Sequence, residues 1–176
     1  SYAAITARHY DAKYKCICRS GIGITVSWVP QIMPEIYDRL NPLDPNSKWD
    51  LSADEPDIVV VNLFQNDTWL VNLPEHEEFK KRFGDNPPTE EEIINAYQQF
   101  ITNLRNNYPK ANIICTLGSM DAAKQGSKWM EYIKLAVANL NDKKIQTHFM
   151  PYLKSGGHPT IKDQEIMAKN LIEFID

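Results

Sequence analysis

Four short clusters of small and polar residues carry the chemistry this sequence offers. They are Ser20-Gly21-Ile22-Gly23, Gln65-Asn66-Asp67, Gly118-Ser119-Met120-Asp121 and Ser155-Gly156-Gly157-His158-Pro159. Each follows an apolar run that reads as a β-strand. Histidine is the side-chain type that takes and returns a proton near neutral pH, so His158 is a candidate general base and acid. Gly21 lets a backbone N–H approach a ligand unobstructed. Asn66 adds a side-chain amide. An N–H and an amide together stabilise the oxyanion of a tetrahedral intermediate, so the combination points to acyl transfer. Taken singly, each residue has an ordinary structural use: the glycines as turn formers, Asn66-Asp67 as an Asx turn or helix cap, and His158 as a loop histidine.

The elements that position these clusters alternate between strand and helix patterns, which predicts βα units and a parallel sheet. Tyr14 to Arg19, Asp57 to Phe64, Ala111 to Leu117 and Gln146 to Tyr152 read as strands. The run Ile58-Val59-Val60-Val61 suits a strand buried on both faces. Ser1 to Asp11 reads as a short helix. Thr89 with Glu92 predicts a capping box, followed by an apolar stripe of Ile93, Ile94, Tyr97, Phe100, Ile101 and Leu104. Lys128 to Leu140 is a further helix, with Trp129, Tyr132, Ile133, Leu135 and Ala136 on its inner side. Thr160 starts the last helix. Two long loops, from about Ile24 to Asp57 and from Phe64 to Pro88, interrupt the pattern. With no repeat or linker, residues 1–176 read as one domain. In an open parallel sheet, ligands bind beyond the carboxyl ends of the strands, where all four clusters fall.

Composition sets outer bounds. A 43% hydrophobic, 24% charged chain with net charge −4 is ordinary for a globular protein and lacks the basic footprint of a nucleic-acid binder. No apolar run approaches the roughly 20 residues that span a bilayer. The three cysteines, Cys16, Cys18 and Cys115, read as buried free thiols. No second Cys or His pair has metal-ligand spacing. No glycine-rich loop opens a helix, which argues against a nucleotide-binding flavodoxin-like protein.

The ordered set Ser20-Gly21, Gln65-Asn66-Asp67 and His158-Pro159 resembles the later blocks of the SGNH hydrolase superfamily, in which the third block is usually Gly-x-Asn-Asp. Together with Ser1-Tyr2-Ala3-Ala4 and Ser20-Gly21-Ile22-Gly23, it is similar over nearly the whole chain to carbohydrate esterase family 2. The resemblance implies a three-layer α/β/α, flavodoxin-like sheet with strand order 2-1-3-4-5. It implies Gly21 and Asn66 as the oxyanion hole and His158 as catalytic base. Asp67 is expected to support its loop. Trp69 and Trp129 are implied as sugar-side aromatics, Trp129 equally as core. No metal or organic cofactor is implied. The expected partner is an acetylated plant polysaccharide or oligosaccharide, with neither nucleic acid nor membrane. The expected location is secreted or periplasmic.

Three departures accompany the resemblance. The Gly-Asp-Ser block with the nucleophile is absent, and no Gly-x-Ser-x-Gly elbow replaces it. Ser155 stands three residues before His158, where the family commonly has the Asp that orients the imidazole; a Ser-His dyad, as in some family 2 esterases, is the expected substitute. Gln65 stands in the third block where Gly or Thr is commoner. The nucleophile belongs on the first, central strand, so this chain is expected to be the larger C-terminal part of a catalytic domain and inactive alone. A segment of the same protein preceding Ser1 is then expected to supply that strand. The alternative is a non-catalytic carbohydrate-binding or interaction domain that keeps the esterase fold.

Overall fold

A computed structural model describes residues 1–176. In chain order the elements are α1 (Tyr2–His9), α2 (Met33–Ile36), β1 (Ile58–Asn62), α3 (Gln65–Leu70), α4 (Glu77–Phe83), α5 (Glu90–Asn107), β2 (Asn112–Leu117), α6 (Lys128–Leu140), β3 (Ile145–Phe149) and α7 (Ile161–Ile175). The three strands form one parallel sheet in the order β1-β2-β3, with Val61 opposite Cys115 and Cys115 opposite Thr147.

Alternation along the strands divides the core into two layers. Val61, Ile113, Cys115, Leu117 and Ile145 face α5 and α6, where Tyr97, Ile101, Trp129 and Ile133 meet them. Val60 and Ile114 face the other way, toward Met167, Leu171 and Phe174 of α7 and Tyr2 of α1. Side chains such as Ile113, Ile101 and Ile133 are fully buried, each contributing on the order of 1.5–3 kcal/mol. The α5 capping box forms as its residues require: Thr89 Oγ1 accepts from Glu92 N, and a Glu92 carboxylate oxygen accepts from Thr89 N. Asp163 closes the same box with Thr160 at the start of α7. No helix is long and apolar enough to cross a membrane.

Four expectations are corrected. Tyr14–Arg19 is not a strand but an irregular segment, with Tyr14 and Ile17 over 40% exposed. A strand needs a neighbour to bond its backbone, and the sheet β1-β2-β3 does not include this segment. For the same reason Cys16 and Cys18 are exposed, while Cys115 is buried and its thiol pushed up to about 12 by desolvation. The two long loops contain α2, α3 and α4, helices too short for a periodic pattern to show. Leu135 lies on the outer side of α6, half exposed.

Candidate active site

The carboxyl edge of the sheet is tied together in series by hydrogen bonds between the loops that follow its strands. At one end, Asn66 donates from Nδ2 to the carbonyl of Ile22 at 2.7 Å. Beside it, Gln65 accepts from the Ala122 N–H at 3.1 Å, which joins α3 to the loop after β2. That loop in turn accepts from the loop after β3, through Leu153 N to Ser119 O at 3.1 Å. Asn62, the last residue of β1, accepts from Gly118 N at 2.9 Å and donates to the Tyr2 hydroxyl at 3.1 Å. Four loops distant in sequence thus share one rim.

Asp67 is the anchor of this rim. It is fully buried, and it accepts from the backbone N–H groups of Ile24, Thr25 and Val26 and from the Thr25 hydroxyl. Burial pushes its carboxyl above the ordinary range, against the pull of these donors. Its work is to fold residues 22–27 into a tight loop. Gly23 is required there, because an added Cβ would lie 2.0 Å from the Val26 carbonyl oxygen and 2.5 Å from the Asp67 carboxylate. Replacing Asp67 by Ala leaves buried donors without an acceptor and should destabilise the protein by about 3 kcal/mol or more. Asp67→Asn, which keeps one acceptor oxygen, should lose less. Urea midpoints that fall in that order at constant m-value check this.

The loop that Asp67 shapes presents Gly21. Its φ is +77°, and its N–H makes no hydrogen bond within the chain. Asn66 spends one amide hydrogen on Ile22 O and keeps a second. The structure therefore brings Gly21 and Asn66 together on either side of Ile22, both with a donor to spare. His158 lies five residues beyond Leu153, on a loop turned by left-handed Lys154 and Gly156, and no hydrogen bond joins it to Gly21 or Asn66. Its imidazole is exposed. Ser155 has its hydroxyl closed off from solvent. Ser119 is also buried and gives its hydroxyl to the Met167 sulfur at 3.3 Å. Of the rim serines singled out in the sequence, only Ser20 is exposed.

The two expected sugar-side aromatics part company. Trp129 packs in the core, 9% exposed, with ring centroids 4.9 Å from Phe64 and 5.5 Å from Tyr132, so its place is structural. Trp69 is half-buried on α3, one turn beyond Asn66. Two positioning features escaped the sequence reading. Asn62 was hidden at the end of a strand. Phe64 holds the position of the motif glycine with φ +84°, a left-handed conformation that a buried aromatic adopts only when its surroundings hold it.

No family model matches the sequence. The cellulase/esterase CelE of Acetivibrio thermocellus is 31% identical over 182 residues, covering 97% of this chain and 20% of CelE. A solved family two carbohydrate esterase from Clostridium thermocellum, in complex with cellohexaose, superposes with a TM-score of 0.80 at 31% identity, over 99% of this chain and 53% of that one. In sequence and in fold, this chain is a relative of the family two carbohydrate esterases. A more distant relative, the acetylxylan esterase / glucomannan deacetylase of Cellvibrio japonicus, is 25% identical over 179 residues, 97% of this chain and 46% of that protein. The chain spans about half the length of the solved family two esterase and a fifth of CelE.

Proposed function

We propose that this chain forms the larger part of an O-acetyl esterase domain acting on plant polysaccharide or oligosaccharide outside the cell. The observation that supports the reading is a pair of spare donors, the Gly21 N–H and the second amide hydrogen of Asn66, whose first is held by the carbonyl of the adjacent Ile22. A pure binding domain has no use for an oxyanion hole. In the proposed reaction a serine hydroxyl attacks the acetyl carbonyl while His158 takes its proton. Gly21 and Asn66 hold the resulting oxyanion, and His158 returns the proton to the departing sugar oxygen. Water, activated by the same imidazole, then releases acetate from the acyl-enzyme.

The serine is proposed to come from residues preceding Ser1. β1 is the outer strand on one side of the sheet, yet it reads Ile58-Val59-Val60-Val61 and carries none of the charges, prolines or bulges that normally protect an edge. The irregular segment Tyr14–Arg19 pairs with no strand and leads straight into the loop that Asn66 holds. One additional strand between them satisfies both and ends on the rim beside Gly21. Labelling the full-length natural protein with a fluorophosphonate and mapping the adduct tests this. The expected adduct is on a serine that precedes Ser1. An adduct on Ser20, or none at all, rejects the reading; the latter outcome favours a non-catalytic carbohydrate-binding domain.

A further inference from the structure

The outer face of α5 carries no charge. Residues 93–104 contain no Asp, Glu, Lys or Arg, in a chain of which 24% is charged. The buried apolar members of that stretch join the core under the sheet, while Asn95, Gln98, Gln99, Thr102 and Asn103 line a surface cleft of about 240 Å³. The outer faces of α6 and α7 carry lysine–glutamate pairs instead, Lys134 with Glu131 and Lys169 with Glu173. Helix formation does not ask for this composition. Asn is a poor helix former because its side chain competes for backbone hydrogen bonds, yet Asn95 and Asn103 stand exposed within α5 where Lys or Glu would favour the helix. Gln98 accepts from Asn139 at 3.3 Å, which extends the amide surface onto α6, while the side chains of Asn95, Gln99 and Asn103 make no hydrogen bond within the chain. Leu135, one turn before Asn139 and on the same side of α6, is half exposed.

We propose that this amide face is a second carbohydrate site, apart from the carboxyl edge of the sheet, on which an uncharged β-linked polysaccharide lies while its acetyl groups are removed. The choice of that occupant rests on the esterase reading. An amide presents a carbonyl oxygen and an N–H donor side by side, which suits two neighbouring sugar hydroxyls, one donating and one accepting. Asn95, Gln99 and Asn103 stand above one another at about 5.4 Å per helical turn, close to the advance of one sugar along an extended β-linked chain. Leu135 offers the C–H face of such a sugar an apolar contact. The lack of charge complements a polymer that has none, because desolvating an amide against a hydroxyl costs far less than desolvating an unpaired ion. The face holds the polymer and touches no reacting atom, so a small ester does not use it.

The test compares two double variants in the full-length natural protein, Gln99→Ala with Asn103→Ala, and the shape-preserving Gln99→Glu with Asn103→Asp. Affinity for deacetylated xylan and glucomannan is measured by calorimetry, and kcat/KM on acetylated glucomannan and on 4-nitrophenyl acetate. Both variants should weaken polymer binding about tenfold, the loss expected for two or more net hydrogen bonds. Both should lower kcat/KM on acetylated glucomannan and leave 4-nitrophenyl acetate unchanged. Polymer affinity unchanged in both variants overturns the proposal. A melting temperature lowered by several degrees also overturns it, since a solvated face tolerates these substitutions and only one covered by the rest of the protein does not. A wild-type protein that cleaves neither ester refutes the esterase reading instead. The titration then decides the amide face alone: unchanged polymer affinity overturns the site, and weakened affinity upholds it.

Discussion

In the full-length protein, replacing His158 by alanine should lower kcat for acetyl ester hydrolysis by about 10⁴-fold or more while leaving the fold intact. The size follows from what the imidazole does. A serine hydroxyl is almost wholly protonated at neutral pH, and only a base within reach makes it a nucleophile in the transition state. The same group must protonate the leaving sugar oxygen and later activate water, so its loss affects both halves of the reaction. What survives is the contribution of binding and of the oxyanion donors. The fold is insensitive because His158 is exposed on a loop, and such substitutions typically change stability by only about 0.5 kcal/mol. A melting temperature close to that of the wild type, measured alongside kcat, separates loss of chemistry from loss of structure. Activity retained within tenfold would remove His158 from the mechanism.

Asn66→Ala should lower kcat by about 10²- to 10³-fold with a much smaller change in KM, the pattern expected when a donor acts on the transition state more than on the ground state. Asn66 also ties α3 to Ile22 through its 2.7 Å hydrogen bond, so some stability will be lost as well, on the order of 1 kcal/mol. Asn66→Asp distinguishes the two roles. The carboxylate keeps the shape but has no hydrogen to give, and it places negative charge where the oxyanion forms. It should therefore be at least as inactive as Asn66→Ala. If Asn66→Asp instead retained turnover near the wild-type level, Asn66 would be a loop support and nothing more.

The sequence was most informative where a local rule needs no distant partner. The capping box at Thr89, the helix start at Thr160 and the apolar stripe of α5 depend on residues within a few positions of one another, and they form as written. The strands β1, β2 and β3 were legible as apolar runs between helix patterns, but only β2 is buried on both faces; β1, expected to be so, lies at the edge of the sheet with Ile58 exposed. Tyr14–Arg19 shows the limit: its pattern is that of a strand, but a strand is a property of a pair. Leu135 failed for a related reason, since one apolar residue on a helix is not assigned to a side by type alone. Gly21, Asn66 and His158 stood out by their kind and order, and of these the structure ties Asn66 to the loop of Gly21. The packing of Trp28 against Gly21 was not legible, because it depends on a loop folding back through Asp67. Phe64 was hidden too, since nothing local marks a buried phenylalanine as left-handed.

In the proposed reaction, acetyl ester hydrolysis takes place at a site shared between this chain and residues that precede it. The direct measurement is acetate release from acetylated xylan and acetylated glucomannan, by the full-length natural protein and by the 176-residue chain side by side. The expected result is sustained release by the full-length protein and none above background by the chain alone. Release by the 176-residue chain at the full-length rate, or no release by either, would contradict it.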